Sequence, residues 1–327
     1  MRRHVLLTMA AGFALAAAAG PAQAADKIKI GFLPGVVDPF YQVMQLGVEK
    51  AAKDLGIEVV TQIPPTWGVE AQTPLLDAMV ARGDLNYIIT APVDKDQMVG
   101  PLKNAVDHGI KVITVDTFLG DGDYVKGPVT FPISYIGSDN VEGGRIAADG
   151  LAKAIGGKGT VYINSTNPNV SSVEGRAIGF KDEMAKKHPD VKVLGPDFNL
   201  DDANKATQQT AAVLTREPHL AGVFGTNVFS AQGAGTAVVN AGLGGAVQVV
   251  AYDATKQAIE LMDKGVVSLV LAQKPFDMGY LAVEFASADN AGVTSLPRRV
   301  ETGFAIIDKT NVKDPEVARF IYQVPGK

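Results

Sequence analysis

Residues 27–47, "KIKIGFLPGVVDPFYQVMQLG", decide the fold. A strand-like run, "KIKIGFL", is followed by a turn and then by a helix start. Asp38 can cap that helix with its carboxylate, and Pro39 suits the first helical position. A buried strand feeding straight into a helix is the unit of parallel α/β architecture. The turn raises its own question. Phe40 and Tyr41 sit side by side in the first helical turn, and a helix cannot turn two neighbours into one apolar stripe. Phe40 is readily read as core, packing with Met44. The face of Tyr41 continues to Gln45, so it is free for another task.

The same unit recurs along the chain. "IEVVTQ" precedes a helix from about Val69 to Ala81, and "NYIIT" precedes one from Asp94 to about Asp107; "KVITVD" follows. The rhythm then restarts. "ISYIG", "GTVYIN", "DVKVLG", "LAGVFG", "VQVVAYD" and "VVSLVLAQ" each lead into a helical pattern, beginning near Asn140, Ser172, Asp201, Phe229, Thr255 and Pro275. Uninterrupted apolar strands alternating with helices mean parallel sheet covered on both faces. Two blocks of similar rhythm predict an α/β protein of two doubly wound parallel-sheet lobes. Between them lies "GDGDYVKGPVTFP", residues 120–132, rich in turn formers. It is either a surface loop or a lid or hinge. The tail, "GFAIIDKTNVKDPEVARFIYQ", adds a late strand and a short helix.

The N-terminus reads as a signal peptide over residues 1–24: Arg2, Arg3 and His4, the apolar run "VLLTMAAGFALAAAA", and an A-x-A site at Ala22-Gln23-Ala24. Cleavage there leaves 303 residues. Losing two of 30 basic residues against 35 acidic ones makes the formal charge −7. An exported chain without cysteine suits a bacterial periplasm, and a core of this size needs no disulfides. Net negative charge with no basic run argues against nucleic acid. Four histidines with no metal-ligand spacing give no metal signature, and no glycine-rich stretch has the context of a phosphate or dinucleotide loop, so neither metal nor cofactor is expected.

In open α/β sheets ligands bind beyond the carboxyl ends of the strands. Those ends carry Asp116, Asn227, Asp253 and Gln273, with Asp38 as a fifth polar end. Any one of them can be a helix cap; Asp116 is harder to explain so, because no helix follows it at once. Together they describe a cleft lined with acceptors and amides. Carboxylates and amides bind sugar hydroxyls, and aromatic faces cover the apolar side of a sugar ring. Tyr41 is a candidate for that cover. Trp67, the only tryptophan, lies in the loop "IPPTWG" and either faces the ligand or packs beneath the loop. Arg176, early in an amphipathic helix, reads on its own as a solvated arginine.

The stretches "DPFY", "IITAPVDKD", "VITVDT", "YIGSDNVEGGRIAA", "EGRAIGF", "VFGTNVFSAQGA", "VVAYDAT" and "LAQKPFDMG" occur in an order and spacing that resemble the ribose-type periplasmic sugar-binding proteins of ABC importers, over nearly all the chain after the signal. The resemblance implies a monomeric two-lobed clamshell. It closes on a monosaccharide or sugar alcohol and docks on an importer permease, without chemistry. It places the first lobe at residues 27–138 plus 274–303 and the second at 139–273 plus 304–323, with hinges near Ser138, Gln273 and Gly303. It assigns Asp38, Phe40, Tyr41 and Asp116 to the ligand from the first lobe, and Arg176, Asn227, Asp253 and Gln273 from the second. Phe198 would close on the other side of the sugar. Three departures set this chain apart: Asp38 where an amide is common, Ala91 where ribose binders place asparagine, and Thr117 where many members have arginine. Another pentose, a hexose or a sugar alcohol are therefore candidates beside ribose. Two other readings share the site: a sensor that presents the sugar to a chemoreceptor or histidine kinase, and a glycoside-processing enzyme with Asp116 and Asp253 as acid and base.

Overall fold

The computed structural model describes residues 28–324; the signal-peptide reading of residues 1–24 lies outside them. The first block forms β1 (Lys29–Leu33), α1 (Pro39–Leu55), β2 (Glu58–Thr61), α2 (Val69–Ala81), β3 (Tyr87–Thr90), α3 (Val99–Asp107), β4 (Lys111–Val115) and β5 (Tyr135–Gly137). The second forms α4 (Asn140–Ala154), β6 (Gly159–Ser165), α5 (Ser171–Lys187), β7 (Val191–Phe198), α6 (Ala203–Arg216), β8 (Leu220–Gly225), α7 (Val228–Asn240), β9 (Gln248–Tyr252), α8 (Lys256–Asp263) and β10 (Val267–Ala272). After these come α9 (Pro275–Asn290), β11 (Arg299–Glu301), β12 (Ala305–Ile307) and α10 (Pro315–Ala318).

The strands make two six-stranded sheets. One runs β11-β5-β4-β3-β1-β2 and the other β12-β10-β9-β8-β6-β7. The orders superimpose: β6 to β10 repeat the places of β1, β2, β3, β4 and β5, and β12 that of β11. The copies differ at one edge, where β11 pairs parallel to β5 but β12 pairs antiparallel to β10. The chain passes between sheets after β5, after β10 and after β11.

The central strands are buried along their length, as in "YIIT" of β3, which is why they read as unbroken apolar runs. Some ends fall elsewhere than the sequence suggests. Asp94 does not open α3: its Oδ1 accepts the backbone N–H groups of Asp96 and Gln97, a local turn that delays the helix to Val99. Leu200 and Asp201 both hold positive φ, 59° and 60°, so α6 starts only at Ala203, capped by Asp202. β11, three residues with an exposed arginine and glutamate, has no apolar run to announce it.

Segment 120–132 lies on the first lobe. Tyr124 is buried, its hydroxyl pairing with Thr114 Oγ1 at 2.8 Å, and Arg298 Nη2 donates to the carbonyls of Tyr124 and Thr130, both at 2.7 Å. The segment is neither one of the crossings between sheets nor part of the cavity wall described next. The hinge or lid reading therefore gives way to an anchored surface loop.

Candidate functional site

The carboxyl ends of the two sheets face each other across a small cavity. From the first lobe it is lined by Asp38, Phe40, Tyr41, Trp67 and Asp116. The second lobe supplies Thr166, Val170, Ser172, Val173, Arg176, Asp201, Asn227 and Asp253, and Gln273 stands at the crossing after β10.

Asp38 caps α1, its Oδ1 accepting the Tyr41 N–H at 2.7 Å, so the start of α1 fixes a carboxylate and two rings together. The neighbouring rings are both buried because this helix end sits where the lobes meet and has two sides to fill. Tyr41 turns toward the first lobe and donates its hydroxyl to Asp116 Oδ2 at 2.7 Å. Phe40 meets Tyr41 edge-on, with centroids 5.0 Å apart, and lies 6.1 Å from the Tyr322 ring. Phe40 thus serves core and cavity at once. Trp67 does likewise: it packs on the core, lines the cavity, lies 6.2 Å from the Tyr41 ring and donates Nε1–H to the Val93 carbonyl at 3.0 Å. A Cβ on Gly35 would sit 2.2 Å from the Trp67 ring, so that glycine admits it.

Asp116 and Asp253 follow β4 and β9, the same place in the two sheets. Both adopt positive φ, 60° and 74°, a conformation uncommon outside glycine. Neither is a helix cap, since Thr255 caps α8. Asn227 does cap α7, accepting from Ser230 N, and its Nδ2 donates to Asp201 Oδ1 at 2.7 Å. Arg176 is the opposite of a solvated arginine, being 2% exposed. Its Nε donates to Asn140 Oδ1 and its Nη1 to the Thr226 carbonyl, both at 2.8 Å. The guanidinium lies 3.9 Å over the Tyr252 ring. Nη2, 3.8 Å from Asp116 Oδ1, is buried without a hydrogen-bond partner.

Four carboxyls, three of them buried and Asp201 half-buried, therefore line the cavity with one guanidinium. Burial pushes Asp116 up to about 6, against the pull of Arg176 and the Tyr41 hydroxyl. Burial pushes Asp201 up to about 7, opposed by Asn227 and reinforced by Asp253 and Asp116. Asp38 and Asp253 are raised too, again chiefly by burial. Burial works against the charge of Arg176, but Tyr252, Asp253 and Asp116 outweigh it and its pKa is raised.

These shifts fix a sign. A carboxyl with a folded-state pKa above its unfolded value of about 4 binds its proton more tightly when folded. Stability is then gained as pH falls through the folded value toward the unfolded one. With its lobes in this closed arrangement the protein should unfold a few degrees higher at pH 5.5 than at pH 7.5, and Asp201→Asn should flatten the upper part of that slope. Asp54, Asp84, Asp123, Asp149 and Asp308, whose values are lowered, act below about pH 4 and do not oppose it. Differential scanning calorimetry across the window tests this; a midpoint that falls on acidification contradicts it.

Nine of the ten residues expected at the site line the cavity; Phe198 does not. It ends β7 and is 37% exposed. The left-handed pair Leu200-Asp201 turns the chain after it, and Asp201 reaches the cavity instead. Thr166, Val170, Ser172 and Val173 also went unread. They flank the end of β6 and the start of α5, where the strand-end rule pointed.

A model of the family described as periplasmic binding protein domain matches residues 30–289. The chain belongs to that family. Its members are substrate-binding transport proteins, not enzymes, so the reading of Asp116 and Asp253 as an acid–base pair gives way. Among relatives of this periplasmic binding protein, the ribose import binding protein of Salmonella typhimurium is 30% identical over 288 residues, covering 88% of this chain and 92% of its own. The D-allose-binding periplasmic protein of Escherichia coli is 28% identical over 276 residues, 83% of this chain and 87% of its own. An ABC transporter solute-binding protein from Agrobacterium vitis, solved with α-D-tagatopyranose, is 47% identical with a TM-score of 0.88, covering 91% of this chain and all of its own.

Proposed function

We propose that this protein captures a neutral monosaccharide in the interlobe cavity and delivers it to an ABC importer. One observation carries the ligand class: three buried carboxyls, a half-buried fourth and a single guanidinium line a small cavity walled by Phe40, Tyr41 and Trp67. Acceptors outnumber donors, so the guest must offer many O–H groups and no negative charge. Sugar acids and sugar phosphates would bring further anions into a site that already holds too few cations. Hydroxyl-to-carboxylate bonds contribute roughly 1.5–3 kcal/mol each, and a few of them reach the micromolar range, about −8 kcal/mol. Sequence likeness to the tagatose-bound relative makes a ketohexose in its pyranose form the first candidate, with allose and ribose next.

The lobes we assign are 28–138 plus 274–303 and 139–273 plus 304–323, hinged near Ser138, Gln273 and Gly303. Ser138 Oγ donates to Gln273 Oε1 at 2.8 Å, tying two of the crossings together. Closure brings Arg176 of one lobe to Asp116 of the other, and the closed form is the one an importer permease, or a chemoreceptor reading the same shape, would engage. We infer a monomer, exported to the periplasm on a signal peptide at residues 1–24.

Calorimetric titration with D-tagatose, D-allose and D-ribose, with galacturonate as the anionic control, tests the reading. Micromolar binding of at least one neutral sugar is expected, with a smaller radius of gyration in the complex by X-ray scattering and no binding of galacturonate. Binding of galacturonate but of none of the neutral sugars would overturn it.

A further inference from the structure

The chain after β12 leaves the second sheet through α10 and returns to the cavity from outside. Tyr322 is the residue that arrives. Its backbone N–H donates to the Ala254 carbonyl at 2.8 Å, and the residue is 4% exposed. The hydroxyl donates to Asp253 Oδ1 at 2.8 Å and accepts the Gln273 backbone N–H at 3.2 Å. Gln273 Nε2 donates to that same Oδ1 at 2.9 Å. The Tyr322 ring backs onto Phe40 and forms part of the wall of two outer grooves on either side, so it stands between the cavity and solvent. Its phenol is held well above its ordinary pKa, by burial and then by Asp253, which keeps the donor protonated.

We propose that Tyr322 is a positioning residue of the sugar site, and that through it the C-terminal tail is part of ligand recognition. Asp253 follows β9 in a left-handed conformation that its strand does not enforce. The phenol and the Gln273 amide pin one oxygen of its carboxylate from behind and thereby set how the group meets a sugar hydroxyl. The phenol also orders the Gln273 backbone, where the chain crosses between sheets. Tyr322 itself does not line the cavity, so its action on the ligand runs through Asp253 and Gln273. The inference rests on the sugar reading above.

Tyr322→Phe keeps the ring and removes the hydroxyl. Wild type and variant are titrated with whichever of D-tagatose, D-allose and D-ribose binds wild type most tightly, and with its singly deoxygenated derivatives. We expect an affinity loss of about tenfold for the parent sugar, the loss of one hydrogen bond to a charged group. That loss should vanish for the derivative lacking the hydroxyl that Asp253 accepts, because the cycle isolates coupling between the two groups. A penalty equal for every derivative would reduce Tyr322 to a packing residue, and no penalty would remove it from the site; either result overturns the proposal. Failure of wild type to bind any of the three sugars refutes the sugar reading, and this inference with it.

Discussion

Replacing Arg176 by alanine should weaken sugar binding by about ten- to a hundredfold and lower the unfolding midpoint. The side chain is gripped by Asn140, by the Thr226 carbonyl and by the Tyr252 ring, which leaves Nη2 as the one donor with nothing to bond. A sugar oxygen in the cavity would complete it. Alanine removes that donor and also the guanidinium that draws on Asp116 and Asp253. Taking one partner from a buried ion pair costs about 3–5 kcal/mol. A charged hydrogen bond to the ligand adds roughly 1.5–3 kcal/mol. The ligand bond alone is then about ten- to a hundredfold in affinity, since each 1.4 kcal/mol is about tenfold, while the ion-pair cost falls on the fold. Lysine should rescue little, because a point charge cannot replace a planar fork that serves three partners and a ring. Calorimetry with the best neutral sugar, beside thermal unfolding without it, reads both effects. Binding by Arg176→Ala within tenfold of wild type would show that the guanidinium is not a ligand group.

What the sequence disclosed follows from where physical signals are local. The strands were readable because parallel sheet covered on both faces demands continuous apolar runs, and "VQVVAYD" or "NYIIT" can be little else. Asp116 and Asp253 were readable because polar residues ending such runs fall at the rim where ligands bind. Arg176 was not readable on its own. Its burial depends on Asn140, Thr226 and Tyr252, which come from three other elements, and no spacing within "EGRAIGF" encodes them. Asp201 was hidden for a different reason. It follows an exposed Leu200, and both hold a left-handed backbone that gives no periodic signature. Resemblance then favoured Phe198, the aromatic nearby, and the turn in the chain put the acid in its place. Tyr322 was hidden by distance: 69 residues separate it from Asp253.

The frame that holds Arg176 makes the second large effect. In the second lobe α4 crosses α5 so closely that a Cβ on Gly144 would lie 2.1 Å from the Arg176 carbonyl oxygen and 2.8 Å from the Phe180 nitrogen. A Cβ on Gly179 would lie 1.9 Å from the Val141 carbonyl oxygen. The first lobe repeats the device where α1 crosses α9, with Gly47 against the Phe276 carbonyl and Gly279 against that of Met44, at 2.1 and 2.2 Å. In each case the obstacle is backbone, which has no alternative rotamer. Gly144→Ala should therefore destabilise the fold by about 2–3 kcal/mol, the cost of overpacking, even though alanine gains up to about 1 kcal/mol in helix propensity. It should also cut sugar affinity more than tenfold, because the atom it displaces belongs to Arg176 and a shift of α5 carries the guanidinium away from Asp116. Gly279→Ala separates the two consequences. It should cost similar stability, but it presses on α1 a turn beyond Tyr41 and leaves Arg176 in place, so affinity should fall less. Urea unfolding of both variants, with titration of the folded protein, decides between them. Equal affinity losses would mean that the crossing supports the lobe without aiming Arg176, and an unchanged urea midpoint for Gly144→Ala would mean that the helices part at no cost.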